Sequence, residues 1–186
     1  MNEVEIKQIP GVILSEYSNF TDARGETTVH RAPENQSINF SSHLISLNSK
    51  SGTVRGFHFQ MMPKGEDKYV WCSQGEVLDI LIDLRSGTAS DCNWGRVSLN
   101  AEDRKFLFIP KGVAHGYQTQ ADNTIVNYLI CGTYDPEIAV RINPRLSSLK
   151  DKWPLEISAI DTSDENGVSI QEALLLWRNS NKNYEG

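Results

Sequence analysis

Short apolar runs, broken at regular intervals by polar turn signals, fill most of the chain between residues 11 and 131. Residues 11–17, GVILSEY, follow Pro10 and read as a strand. Residues 20–26, FTDARGE, read as a turn, and the polar stretch 31–42 with Pro33 reads as loop. Residues 44–47 form a short apolar strand ended by the turn signal NSKSG at 48–52. Val54–Gln60, VRGFHFQ, comes next, then a loop over 61–67 and a strand over 68–72, KYVWC. After a turn at Gly75, the run GEVLDILIDL to Leu84 is nearly continuous in apolar residues, as expected of a strand buried on both faces. Residues 85–93 are turn-rich, and 94–99 resume the strand pattern. KFLFI at 105–109 stops at Pro110, Lys111 and Gly112, 115–118 continue, and Thr124–Cys131, TIVNYLIC, puts Val126, Tyr128 and Ile130 on one face.

No helical period separates these strands, which predicts an all-β sandwich or barrel. Helix comes late. Ser169-Ile-Gln-Glu172 is a capping-box pattern, in which serine and glutamate reciprocally satisfy free helix-start amides. Ile170, Leu174 and Trp177 then recur at helical spacing, predicting an amphipathic helix over 169–179 lying on the sheet. The closing NSNKNYEG reads as a frayed tail from about residue 180. Neither a repeat nor a linker divides the chain, so residues 1–186 are expected to form one domain.

Within VRGFHFQ, a regular strand would send Arg55 and His58 to opposite faces. Gly56 offers a bulge or a close backbone approach, which would let both polar groups reach one pocket. Composition adds exclusions. Apolar residues are 39% and charged residues 23%, ordinary for a soluble globular protein. A formal charge of −6 argues against nucleic-acid binding, although an acidic chain can still hold a phosphate locally. Three cysteines, Cys72, Cys92 and Cys131, without a close C-x-x-C pairing, suggest neither a disulfide framework nor a zinc site. The opening MNEVEIKQIP has no apolar run and no stretch is long enough to cross a bilayer, so a cytoplasmic location without membrane attachment is expected.

Pro110-Lys-Gly-Val-Ala-His115, followed by Asn123, resembles the second conserved motif of the cupins, a jelly-roll (double-stranded β-helix) superfamily. Metal-binding cupins carry an H-x-H pair and a later glutamate in their first motif. Here that region holds one histidine, His58, while His30 and His43 stand in unrelated contexts. A metal needs three or four convergent ligands, which this pattern does not supply, so no metal is expected.

VRGFHFQ, KYVWCSQGEVLDILIDLRSGT, RKFLFIPKGVAHGY and NYLICGTYDPE occur in an order and spacing that resemble the dTDP-4-dehydrorhamnose 3,5-epimerase family, from about Gly11 to the helix near Leu175. The resemblance implies a cupin-type jelly roll with a short C-terminal helix, and a homodimer whose N-terminal strands extend the partner's sheet. It implies a sugar-nucleotide substrate, no cofactor, and epimerisation of a 4-keto-6-deoxyhexose at C3, C5 or both. Such chemistry needs a base on one face of the sugar, a proton donor on the other and a positive group near the developing enolate oxygen. Alternatives on the same fold are a 3,4-ketoisomerase and a sugar-nucleotide-binding cupin without catalysis.

Position by position, the resemblance implies His58 as the general base and Asp164 as the aspartate that orients it, with Asp161 a poorer match by spacing. It implies Lys68 near the C4 oxygen, Tyr128 as the proton donor and Tyr134 as a second pocket tyrosine. His115 and Gln60 are expected at the ligand, and Arg24 and Arg55 on its diphosphate. The chain also departs from the family. Val29 replaces a nucleotide-binding glutamate, and the usual Q-x-N segment falls on His43, Leu44 and Ile45. Ser163 replaces a lysine, and the loop after Pro136 lacks an obvious glutamate. The catalytic set is kept while the nucleotide-contacting set is changed, which implies an altered base or sugar preference.

Overall fold

The computed structural model describes residues 3–16, 18–29, 39–86 and 92–185. His30 and residues 31–38 of the expected loop lie outside the described residues, as do residues 87–91 of the turn-rich segment. The strands run in chain order as β1 (Glu3–Glu5), β2 (Ile13–Glu16), β3 (Ser18–Asp22), β4 (Gly25–Val29), β5 (Ser42–Asn48), β6 (Val54–Gln60) and β7 (Asp67–Gln74). They continue as β8 (Glu76–Asp83), β9 (Trp94–Asn100), β10 (Lys105–Ile109), β11 (Val113–Thr119), β12 (Thr124–Cys131) and β13 (Ala139–Arg141). Two helices follow, α1 (Thr162–Glu165) and α2 (Ile170–Glu185).

A six-stranded sheet, ordered β1-β2-β10-β7-β12-β5, packs on a five-stranded sheet, ordered β13-β6-β11-β8-β9. This is the expected all-β, cupin-type jelly roll. Pairing within both sheets is antiparallel. Val70, Leu107 and Val126 of the larger sheet meet Val77, Leu81 and Val113 of the smaller in the layer between them. A second apolar layer covers the outer face of the five-stranded sheet, where Ile80, Ile82 and Phe57 pack with Leu174 and Trp177 of α2. β8 therefore feeds both layers, which is why its apolar run is nearly unbroken.

Several elements depart from the sequence reading. Residues 20–26 form the tip of a β3–β4 hairpin rather than a turn alone. Strands β1 and β13 and the helix α1 are each too short for periodicity to reveal them. Helix α2 starts where the capping pattern placed it, with Ser169 Oγ accepting from the Glu172 amide at 3.2 Å. It runs on to Glu185 instead of fraying near residue 180. Tertiary anchoring explains the extension, since Ser180 Oγ donates to the Trp177 carbonyl at 2.8 Å and accepts from the Met62 amide at 3.2 Å.

Gly56 does what the sequence proposed. The β6–β11 register pairs His58 with His115 and Arg55 with Tyr117, so β6 carries one more residue than β11 across the same span. Gly56 has φ +103°, and a Cβ there would lie 2.6 Å from the His115 carbonyl oxygen and 2.7 Å from Gly116 Cα. Both obstacles are backbone, so neither can swing aside. Gly56→Ala is expected to destabilise the fold by about 1–3 kcal/mol, read as a lowered urea midpoint. An unchanged midpoint would show that the two strands separate freely here.

Candidate active site

A cavity of about 300 Å³ is lined by both sheets. From β6, β11 and β13 of the five-stranded sheet come Arg55, His58, Gln60, His115 and Arg141; Lys68 of β7 and Tyr128 of β12 come from the six-stranded sheet. Tyr134 lies on the loop after β12 and also lines the cavity, although 63% exposed. Strand alternation and the Gly56 bulge thus bring seven of the nine anticipated side chains to one space. Asp164, an eighth, sits behind His58 in α1, buried at 4% exposure.

His58 Nε2 lies 2.7 Å from Asp164 Oδ1. An ionised carboxylate only accepts, so Nε2 carries the proton and Nδ1 is the ring nitrogen left basic. The Gly56 amide donates to Asp164 Oδ2 at 3.1 Å, and Arg141 Nε approaches Oδ1 at 3.2 Å. Burial by itself pushes the Asp164 carboxyl upward. The His58 hydrogen bond and charge, the Gly56 amide and Arg141 outweigh it and hold the carboxyl below its usual range. Asp161 instead caps α1, accepting from the Ser163 amide at 2.8 Å.

On the opposite wall, burial pushes the Tyr128 phenol well above its ordinary value, and the neighbouring Tyr117 acts in the same direction. Tyr128 therefore keeps its proton at neutral pH and can donate it. Lys68, buried, directs Nζ to the His58 carbonyl oxygen at 3.3 Å and stands 4.0 Å from Glu66. Burial pushes its ammonium down, with Glu66 pulling it back up; burial pushes Glu66 up, with Lys68 and His58 opposing.

His115 is buried and bonded through Nε2 to the fully buried Asp79, whose other oxygen has no partner among the described residues. The His115 ring meets Tyr128 edge-on at 5.9 Å. Arg55 Nε donates to Asn48 Oδ1 at 2.9 Å, which also accepts from Tyr117 Oη at 3.3 Å. Gln60 is committed to the backbone: its amide nitrogen bonds the Lys64 and Thr133 carbonyls, and its oxygen accepts from the Asp135 amide at 2.8 Å. It holds the loop bearing Tyr134, and its oxygen keeps one further acceptor site.

Arg24 is not brought to the cavity within one chain. It sits on the β3–β4 hairpin, 89% exposed along its side chain and paired with Asp22. Among the described residues the hairpin strands pair only with each other, which explains the separation. The Q-x-N correspondence also needs correcting. Alternation along β5 turns Ser42, Leu44 and Ser46 into the cavity. His43 instead stacks on Trp71 at 5.6 Å and bonds Asn127, and Ile45 is 58% exposed. Arg141, Glu66, Asn48 and Asp79 are the polar groups that sequence reasoning missed. For Asp79, the signal was a carboxylate flanked on both sides by apolar residues, Val77-Leu78 and Ile80-Leu81-Ile82.

An imidazole–carboxylate pair and a protonated phenol, held on facing walls of a jelly roll, define a cupin-type site built for proton transfer. The family model described as dTDP-4-dehydrorhamnose 3,5-epimerase matches residues 6–171, and the chain belongs to that family. The dTDP-4-dehydrorhamnose 3,5-epimerase of Methanothermobacter thermautotrophicus is 33% identical over 172 residues, covering 88% of this chain and 92% of the relative. That of Mycobacterium tuberculosis is 36% identical over 107 residues, or 58% of this chain, and the match spans about half of the relative's length, 53%. The crystal structure of the Bacillus anthracis dTDP-4-dehydrorhamnose 3,5-epimerase, with TDP and PPi bound, superposes with a TM-score of 0.82. It is 26% identical, with 90% of this chain and 98% of that one covered.

The lowered Asp164 carboxyl has a consequence for stability. Its contribution is fully present above the ordinary carboxylate range and is lost as pH falls through the lower, folded-state value. The urea midpoint of the wild type should therefore exceed that of Asp164→Asn at about pH 6, with the gap narrowing toward about pH 2. A gap independent of pH would show that the carboxylate's charge contributes nothing.

Proposed function

We propose that the protein epimerises a nucleotide-linked 4-keto-6-deoxyhexose through an enolate. The observation that carries this reading is that His58 and Tyr128 belong to different sheets and line opposite walls of one cavity. Inversion at a carbon beside a carbonyl requires that layout, because the proton leaves one face and returns to the other. His58 Nδ1 removes the proton next to the ketone, and Asp164 steadies the resulting imidazolium. Lys68 faces the charge that develops on the ketone oxygen. Tyr128 then delivers its proton to the opposite face. Arg55 holds the diphosphate, a group suited to bidentate arginine, His115 contacts the sugar, and Tyr134 closes the open side. Bound TDP and PPi in the Bacillus anthracis relative support a nucleotide of this kind.

The working unit is a homodimer. β5 forms one edge of the six-stranded sheet with β12 as its partner, and its Leu44, Ile45 and Leu47 are 49%, 58% and 69% exposed. An open apolar edge is an aggregation hazard that a second copy's N-terminal strands would cover. Exchange of the β3–β4 hairpin would also give Arg24 a route to the partner's cavity. Among the described residues, no helix is long and apolar enough to cross a membrane; a cytoplasmic location fits a sugar-nucleotide substrate.

Two measurements test these readings. In heavy water, His58→Ala should reduce deuterium wash-in next to the ketone by about 10²–10⁴-fold. Tyr128→Phe should retain wash-in while losing the inverted product, because the enolate can recover a proton on its original face. Equal loss of wash-in and inversion in Tyr128→Phe would remove it as the selective donor. Sedimentation at micromolar concentration should give a dimer, and a well-behaved monomer would overturn the assembly.

A further inference from the structure

Arg141 lies directly across the β6–β13 ladder from His58 and lines the cavity. Its Nε is 3.2 Å from Asp164 Oδ1, the same oxygen that His58 Nε2 meets at 2.7 Å. One carboxylate oxygen is thus shared by an imidazole and a permanent cation. Resting on the reading of His58 as base, we propose that Arg141 is a positioning residue that divides the Asp164 carboxylate with His58 and so sets the pH range over which the base is free.

A base must begin the reaction without a proton. A histidine paired with a buried carboxylate is drawn the other way, since the carboxylate stabilises the imidazolium. Arg141 opposes that pull in two ways. Its fixed positive charge disfavours a second one on the neighbouring ring, and its ion pair with Oδ1 offsets part of the Asp164 charge. Arginine is protonated at every working pH, so the effect does not switch off. Its side chain is 43% exposed, which weakens the interaction through solvent without removing it.

Simple anchoring of Asp164 is a weaker account of Arg141. The Gly56 amide already holds Oδ2, and His58 itself holds Oδ1. The other ionisable groups nearby are Lys68 of β7, Glu66 just before it, His115 of β11 with its Asp79, Tyr128 of β12, Arg55 on the same strand, and Asp161 at the cap of α1, which feels both Arg141 and Arg55. Among the described residues none of these bonds the Asp164 carboxylate, and Asp161, which Arg141 also attracts, stays held by the Ser163 amide.

The test compares wild type with R141M, R141Q and R141K by NMR titration of the His58 imidazole, assigned against His58→Asn. R141M and R141Q should move its midpoint upward by about one pH unit, the low end for a nearby charge because of solvent exposure. R141K, which keeps the charge, should stay nearer the wild type. The acid limb of the wash-in profile should move upward with the midpoint. Matching midpoints in wild type, R141M and R141Q would overturn the proposal and leave Arg141 as an anchor. The titration does not need turnover, so a wild type without wash-in would sink the enzymatic reading separately.

Discussion

The arrangement of the site depends on one buried carboxylate. Asp164 is 4% exposed, and an ionised group in that position is strongly disfavoured unless its oxygens find donors. The donors come from two strands: the Gly56 amide and His58 ring of β6, and the Arg141 guanidinium of β13. α1 must therefore dock against the edge of the five-stranded sheet for the charge to be tolerated. Its own cap, Asp161 on the Ser163 amide, holds the single turn in shape. Parallel bridges from Thr53 to Ala159 and from Ile142 to Val168 tie the flanking chain to the same edge. Packing and the orientation of the His58 ring thus draw on the same bonds.

The sandwich supplies what a single sheet cannot. A proton donor and a proton acceptor mounted on one strand face would address a substrate from one side. Here the walls belong to different sheets, and the apolar layer of Val70, Leu81 and Val126 fixes their separation. The same layer dries the cavity floor. Tyr128 keeps its proton chiefly for that reason, and Tyr117 adds to it. The same desolvation pushes the Lys68 ammonium down, with Glu66 opposing it.

Much of this was legible in the sequence, for identifiable reasons. β6, β8, β10 and β12 are long enough for composition and alternation to speak. Gly56 signalled its bulge because a regular strand gains nothing from a residue without a side chain, whereas a close backbone approach requires one. Asp164 and Tyr128 were found through motif resemblance, since a contact spanning 106 residues leaves no periodic trace. Arg141 escaped for the same reason and without a motif to point to it. Gln60 was assigned to the ligand because sequence cannot show that the backbone of a distant loop already occupies its amide. Along β5, the resemblance pointed to His43, Leu44 and Ile45, of which alternation brings Leu44 alone to the cavity, because neighbouring side chains face opposite sides of a strand.

Net charge proves a poor guide to this cavity. The chain carries −6, yet Arg55, Lys68 and Arg141 all line the space between the sheets. Glu66 also lines it, 4.0 Å from Lys68, while behind the walls Asp164 is engaged by His58, Gly56 and Arg141, and Asp79 by His115. Each carboxylate thus has a protein donor or cation beside it, while among the described residues the arginines engage only their Nε atoms, on Asn48 and Asp164. Low-dielectric walls focus such a field toward the opening, so an anion can be drawn in by a surface that is negative overall. The β5 wall works differently: Ser42, Leu44 and Ser46 offer two small hydroxyls around one apolar side chain. Fixed charge and the shape of an edge strand are therefore physically separable features of this cavity.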